Sequence, residues 1–427
     1  MSVVTIKRKT LTTYSGQLNK KHKMKINLIN AMMGAGKTTS IISYIDHELT
    51  TNLNKQFIYV SPLLAEVSDI ELEDGTTQLG RINNALSHHG FVTPQNHGKG
   101  KINNFMDLVR EGHNICCTHQ CFKGLTDKDV AEIKLMGYDL IIDESVEAIE
   151  QYTITYADLW MALHAEAITI CPVTGLVSWD HFKLPEAAND SPTYRALAKV
   201  IEQRAVYLIR KKVLVTEFPI QVLEAFKEVT VMTYIFEGSF MSVWCKMHKC
   251  EVTDITDTIG LHKTEQELKV QARKLLSIYE PTKPFTASLS QSAFSKMSKP
   301  NLDKLKTSIA SYINKSKAKA ATTLVTCPKD SWDNIKGKGY SRATWIASNT
   351  RATNAYSDMT HIVYGLDKYP HVMINSYTDN AIDPDKYALA EMLQLIWRGC
   401  IRNGEPMSIY IVSPRMRRLF TDWLYSN

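Results

Sequence analysis

A chain of 427 residues, 44% of them apolar, is long enough for two or three domains, each with its own core, and it has no run of about 18 apolar residues that could span a membrane. Its formal charge of +6 is compatible with a polyanionic partner and too small to specify one. The basic stretch Met1–Lys25 lacks the apolar core of a signal peptide, and the eight cysteines are expected as free thiols, so the reading is cytoplasmic, in the host cytoplasm if the protein is viral.

In chain order, the first informative stretch is "LINAMMGAGKTTSII", Leu28–Ile42. "KINLINA" alternates as a short strand does, and "KTTSIISYI" spaces its apolar residues as a helix does. Between them, Gly34, Ala35 and Gly36 form a small-residue turn whose glycines can take positive φ and let an anion approach the backbone. A helix opening near Lys37 points unpaired N–H groups and the positive end of its dipole into that turn. Lys37 adds a charge for terminal phosphates. The Thr38 hydroxyl suits a magnesium ion, with Thr39 beside it. The expectation is a nucleotide site.

Strand-like runs then recur with helical segments between them: "FIYVSP" (57–62), "NICCTH" (114–119), "YDLIIDE" (138–144), "VLVTEF" (213–218) and "VTVMTYIF" (229–236). Such alternation predicts a parallel α/β sheet with helices on both faces. Two groups rich in Cys and His, 113–121 and 245–250, lack the paired CxxC spacing of a structural zinc site and are read as structural. "YDLIIDE" matters most. An apolar strand ending in two acids puts Asp143 and Glu144 at the sheet's C-terminal edge, Asp143 to hold Mg²⁺ and Glu144 to orient or deprotonate water.

Residues 151–210 change to a mainly helical pattern and read as an insertion. "FMSVWCKMHKCEVTDITDTIGLH" reads as short strand-like pieces bridging two lobes, "TEQELKVQARKLLSIY" (264–279) as a helix, and the Ser/Lys-rich stretch up to Ala321 as a helix-containing surface region. Strands resume at 322–328, 343–348, 361–365 and 408–413. Before the last of them, "DKYALAEMLQLIWRGCIR" (385–402) reads as one long helix. On such a helix Gln394, Arg398 and Arg402 fall at i, i+4 and i+8, nearly one face. Planar guanidinium donors facing one way suit a γ-phosphate.

Taken together, "AMMGAGKTT", "DESVE", "TYIFEGS" and "QLIWRGCIR" resemble, in order, motifs I, II, III and VI of superfamily 2 helicases, in particular the phage-type members of that DExx-box group. The resemblance runs from about Lys25 to Leu419, with 151–210 outside it. It implies an α/β chain of two RecA-like parallel-sheet lobes with a mainly helical insertion in the first. The lobes would be 1–240, with ATP bound here, and 266–427, joined by a bridge at 241–265. Substrate and cofactor would be ATP and Mg²⁺. Gln394, Arg398 and Arg402 would sense the γ-phosphate, with the choice of arginine finger open, and Thr233 would couple hydrolysis to movement.

Ser61 in "VSPLLAEV" (motif Ia), Thr118 and His119 (Ib), Lys329 in "VTCPKD" (IV) and Asn349, Thr350 and Arg351 in "SNTRATNAY" (V) would grip the nucleic-acid backbone. Three departures stand out. Ala31 replaces the first glycine of the phosphate loop, a variant found in helicase-type ATPases. Motif II ends Ser-Val, and the motif VI arginines are spaced Arg-x-x-x-Arg. Gln17 is the only nearby upstream candidate for an adenine-reading glutamine. The implied partner is nucleic acid, DNA favoured over RNA, with replication or recombination proteins beyond it. Two other readings stay open: an ATP-dependent nucleic-acid clamp or origin-binding remodeller, and a small-molecule kinase. The kinase leaves "QLIWRGCIR" and the second strand series idle.

Overall fold

The computed structural model describes residues 23–52, 54–62, 70–71, 77–78, 80–87, 90–96, 98, 100–184, 191–348, 350 and 355–426. The first lobe begins with strand β1 (Lys25–Asn30), helix α1 (Lys37–Thr51) and β2 (Phe57–Ser61). It continues through α2 (Lys101–Arg110), β3 (Ile115–Thr118), α3 (Val130–Met136) and β4 (Asp139–Asp143). Every residue of β2 and β4 is buried, as expected of central strands covered by helices on both faces.

An insertion follows. It contains β5 (Ile149–Tyr152), α4 (Tyr156–His164), the hairpin β6 (Ile168–Ile170) and β7 (Val177–Trp179), α5 (Pro192–Gln203), β8 (Ala205–Ile209) and β9 (Val213–Glu217). Both helices lie where the periodicity predicts, with side-chain N-caps from Thr155 and Ser191. The strands make the insertion mixed rather than mainly helical. They also correct the reading of "VLVTEF": β9 pairs antiparallel with β8 and β5 in a separate three-stranded sheet. An apolar run of this length does not reveal which sheet will take it.

The chain then returns as β10 (Val229–Thr233), α6 (Phe240–Met247) and β11 (Glu251–Asp254). The first sheet has the order β11-β1-β10-β4-β2-β3 and is parallel throughout. Residues read as bridging strands are thus largely a helix, α6, capped by Ser239, and an edge strand of the first sheet. "FMSVWCKM" buries five residues in a row, Met241–Cys245, so the helix is covered nearly all round and offers no apolar stripe that would tell it from a buried strand.

The second lobe has α7 (Glu265–Leu275), β12 (Leu276–Ile278), α8 (Lys299–Ser316), β13 (Thr323–Thr326), β14 (Thr344–Trp345) and β15 (His361–Tyr364). It ends with α9 (Val372–Tyr377), α10 (Pro384–Ile396), β16 (Met407–Ile411) and α11 (Pro414–Tyr425). Its sheet, β12-β16-β15-β13-β14, is also all parallel. A capping box between Thr264 and Glu267 starts α7. The Ser/Lys-rich stretch contributes α8, which sends Leu305, Ile309, Tyr312 and Ile313 into the core. The chain is therefore an α/β protein of two RecA-like lobes. An apolar cluster joins them, with Ile29, Met32 and Ile41 on one side and Ile396, Trp397 and Trp423 on the other. Among the described residues, no helix is long and apolar enough to cross a membrane.

Candidate nucleotide site between the lobes

Three adjacent strands of the first sheet deliver the central residues to one edge. In register, Asn30 of β1 lies beside Thr233 of β10, and Met232 lies beside Asp143 of β4. The phosphate loop, Thr233 and the acidic pair therefore emerge together at the carboxyl ends of the strands, where open α/β sheets bind ligands. There a cavity of about 350 Å³ opens between the lobes.

The first lobe supplies Gly34, Gly36, Lys37, Thr38, Thr39, Asp143, Glu144 and Thr233 to its wall. Gly34 and Gly36 have φ of 87° and 96°, left-handed values that favour glycine. Ala35 is different from its neighbours. It is buried, its N–H bonds the Met32 carbonyl at 3.2 Å, and its own carbonyl accepts from the His262 N–H at 3.0 Å. Ala35, expected at the ligand, has both backbone groups engaged within the protein here.

Lys37 Nζ folds back to donate to the Ala31 and Met32 carbonyls, the latter at 3.2 Å. Burial pushes its pKa down to about 8, against the pull of Asp143 and Glu144. Thr38 Oγ1 donates to Asp143 Oδ2 at 3.4 Å, and the buried Tyr59 hydroxyl donates to the same oxygen at 2.8 Å. Glu144 has φ 61°, a conformation costly for a residue with a Cβ. That turn takes the chain out of β4 with the Glu144 side chain on the cavity wall.

The second lobe supplies Gln394, Trp397, Arg398 and Arg402. The three polar residues do converge, but not on one helix face. Helix α10 ends at Ile396; Gln394 is in its last turn, Arg398 follows the cap residue Trp397, and Arg402 sits on a 3₁₀ turn, Cys400–Asn403. After Ile396 the chain tightens, with the Arg398 and Gly399 N–H groups bonding the Leu395 and Ile396 carbonyls, and Gly399 then takes up an extended conformation, φ −73° and ψ −176°. Across the lobes, Arg398 Nη2 lies 3.8 Å from Glu144 Oε1, with the arginine only 6% exposed.

The residues expected to grip nucleic acid are less uniform. Ser61, expected at the nucleic-acid backbone, is fully buried at the end of β2. Thr118 caps the turn 119–122 by accepting from the Cys121 N–H, and His119 Nε2 lies 2.9 Å from the Asp143 carbonyl oxygen. Both are half-buried. Lys329 is exposed and Thr350 half-buried. Asn349, Arg351 and Gln17 lie outside the described residues. Trp397 is buried edge-on against Trp423, and the half-buried Trp345 donates its Nε1–H to the Cys327 carbonyl at 3.0 Å. Pro62, from the motif Ia stretch, also lines the cavity, and two further lining residues carry no sequence signal: Arg81 of the first lobe and His262 of the connection between lobes.

Compared with known proteins, residues 263–424 match the YonV C-terminal Rossmann-like domain. The chain is 27% identical over 423 residues, 94% of its length and 98% of the relative's, to the SPbeta prophage-derived uncharacterized protein YonV of Bacillus subtilis (strain 168). Among solved structures, it superposes on S. tokodaii Xpd4 with a TM-score of 0.47 at 12% identity, covering 95% of each chain. A second superposition, on the DUF1998 helicase MrfA bound to DNA, has a TM-score of 0.35 at 9% identity and covers 95% of this chain and 46% of that one.

Proposed function

We propose that the chain is a nucleic-acid-stimulated ATPase that uses hydrolysis to move along or unwind nucleic acid, DNA in preference to RNA, in phage-type replication or recombination. The observation that carries this reading is the shared cavity: a phosphate loop and two acids on one lobe face Gln394, Arg398 and Arg402 on the other. Its formal charges suit a magnesium–triphosphate. Among the described residues, the wall carries the basic groups of Lys37, Arg81, Arg398 and Arg402 together with the acids Asp143 and Glu144, the mixture that phosphates and their metal ion call for.

In this reading the N–H groups opening α1 and the Lys37 ammonium bind the β- and γ-phosphates, which requires Lys37 to leave the Ala31 and Met32 carbonyls. Thr38 and Asp143, already adjacent, are the residues to hold Mg²⁺, which when bound neutralises charge on the phosphates. Glu144 takes the proton from the attacking water while the bond to the leaving ADP oxygen breaks. Arg398 and Arg402 meet charge that grows on the transferred phosphoryl group, so they favour the transition state over bound ATP.

Coupling to movement has a contact to run through. Beyond Thr233, a 3₁₀ turn, Phe236–Gly238, packs on α10, the helix that leads to the arginines. A Cβ on Gly238 would lie 2.7 Å from the Lys386 carbonyl group, so glycine permits the approach, and Lys386 is ion-paired with Glu237. Opening of the lobes must break this contact.

The test is steady-state hydrolysis with no polymer, single-stranded DNA, duplex DNA and RNA, together with strand displacement on overhangs of both polarities. Polymer-stimulated hydrolysis with displacement is expected. Stimulated hydrolysis without displacement on any overhang favours the clamp or remodeller. Turnover that needs a small acceptor and ignores polymers favours the kinase.

A further inference from the structure

The chain leaving β11 for the second lobe is fastened along the outside of the phosphate loop. The Ile255 N–H bonds the Leu28 carbonyl at 2.8 Å, and Thr256 Oγ1 accepts from the Asn30 N–H at 2.8 Å. Ser40 Oγ of α1 donates to the Gly260 carbonyl at 3.1 Å. The N–H groups of His262 and Lys263 both reach the Ala35 carbonyl, at 3.0 and 3.4 Å. Four points of attachment fix the backbone of residues 255–263 against the strand before the turn, the turn itself and the helix after it.

This fixed segment places one planar side chain at the site. The His262 imidazole lies against Gly36 so closely that a Cβ there would come within 3.0 to 3.3 Å of Cβ, Cγ and Cδ2 of the histidine. His262 also lines the cavity between the lobes and is exposed to solvent. It therefore has one side on the phosphate loop and another at the cavity's mouth. A nucleotide held by its phosphates in the turn must direct its base away from the turn, toward such a rim. A ring carried on a fixed backbone and resting on Gly36 has less freedom to lose when a base rests on it than one on a mobile segment.

We propose that His262 is the platform on which the nucleobase stacks, making the connection between lobes the base-supporting wall of the site. This rests on the nucleotide reading above and goes beyond it. Every base presents a π-face, so stacking tolerates base identity, and adenine and guanine nucleotides are expected to bind with similar affinity. Because His262 belongs to the connection, base occupancy also bears on the segment that sets how the lobes are joined.

The experiment compares wild type, His262→Ala and His262→Phe for binding of ATP, GTP and inorganic tripolyphosphate by calorimetry. The alanine variant is expected to lose about tenfold in affinity for both nucleotides and nothing for tripolyphosphate, and phenylalanine is expected to restore nucleotide binding. Unchanged ATP affinity in His262→Ala overturns the platform. So does an equal loss of tripolyphosphate binding, or a phenylalanine variant as weak as alanine, since either assigns the imidazole to the phosphates. Wild-type protein that binds neither ATP nor tripolyphosphate overturns the nucleotide site itself, a result distinct from all of these.

Discussion

Lys37 and the two arginines are the residues whose chemistry decides the account. With its pKa pushed down to about 8 by burial, Lys37 is mostly neutral above that pH in the ligand-free protein. A polyphosphate that needs its charge must then bind together with a proton. Affinity for ATP is therefore expected to be flat below about pH 8 and to fall by up to about tenfold per unit above it. Lys37→Ala should bind weakly and show no such slope. An ATP affinity in the wild type that does not change between about pH 7 and 9.5 contradicts the assignment. For the arginines, Arg402→Ala should retain ATP binding and lose about 10³-fold in stimulated turnover; full turnover would move the finger role to Arg398. Residues at this scale were legible where a motif fixes their type and spacing, as for Lys37, Thr38, Asp143 and Glu144. Arg81 and His262 were not, because the chain brings them to the cavity from segments with no motif.

The end of α10 shows what helical periodicity can and cannot say about an element. Apolar spacing in "YALAEMLQLI" predicts the helix correctly, but continuing it to Arg402 ignores Gly399. A Cβ on Gly399 would meet Met407 Sδ and the Met359 carbonyl oxygen, the latter at 3.0 Å. The turn that carries both arginines is thus packed tightly against the second sheet. Gly399→Ala is expected to cost about 1–3 kcal/mol of stability through overpacking and to reduce turnover more than ATP binding, measured by urea denaturation alongside the hydrolysis assay. Normal turnover in a stably folded variant would show that the position of this turn is unimportant. The parallel sheets were legible from strands alternating with helices. The assignment of β9 was not, since its partners β8 and β5 lie in the insertion and apolar content alone does not choose between sheets.

At the scale of the molecule, the insertion joins the two lobes rather than standing apart. Helix α9 of the second lobe docks on it: the Tyr377 hydroxyl donates to the buried carboxylate of Glu217, Arg210 Nη2 donates to Ser376 Oγ at 3.1 Å, and the rings of Tyr207 and Tyr377 lie 5.1 Å apart. His248 Nε2 stands 3.3 Å from the same carboxylate. Tyr377→Phe removes a donor from a buried acid and should destabilise the chain by about 1–3 kcal/mol, read by urea denaturation; an unchanged midpoint would mean that this contact does not hold the lobes together. None of this docking could be read from 151–210 alone, because its partner lies some 160 residues further on. What joins the lobes at the cavity is the central claim, and ATP binding and hydrolysis by the Arg398→Ala/Arg402→Ala double variant, with and without single-stranded DNA, test it most directly. The account predicts retained ATP binding with stimulated turnover lost by about 10³-fold or more; a double variant that hydrolyses ATP at the wild-type rate would contradict it.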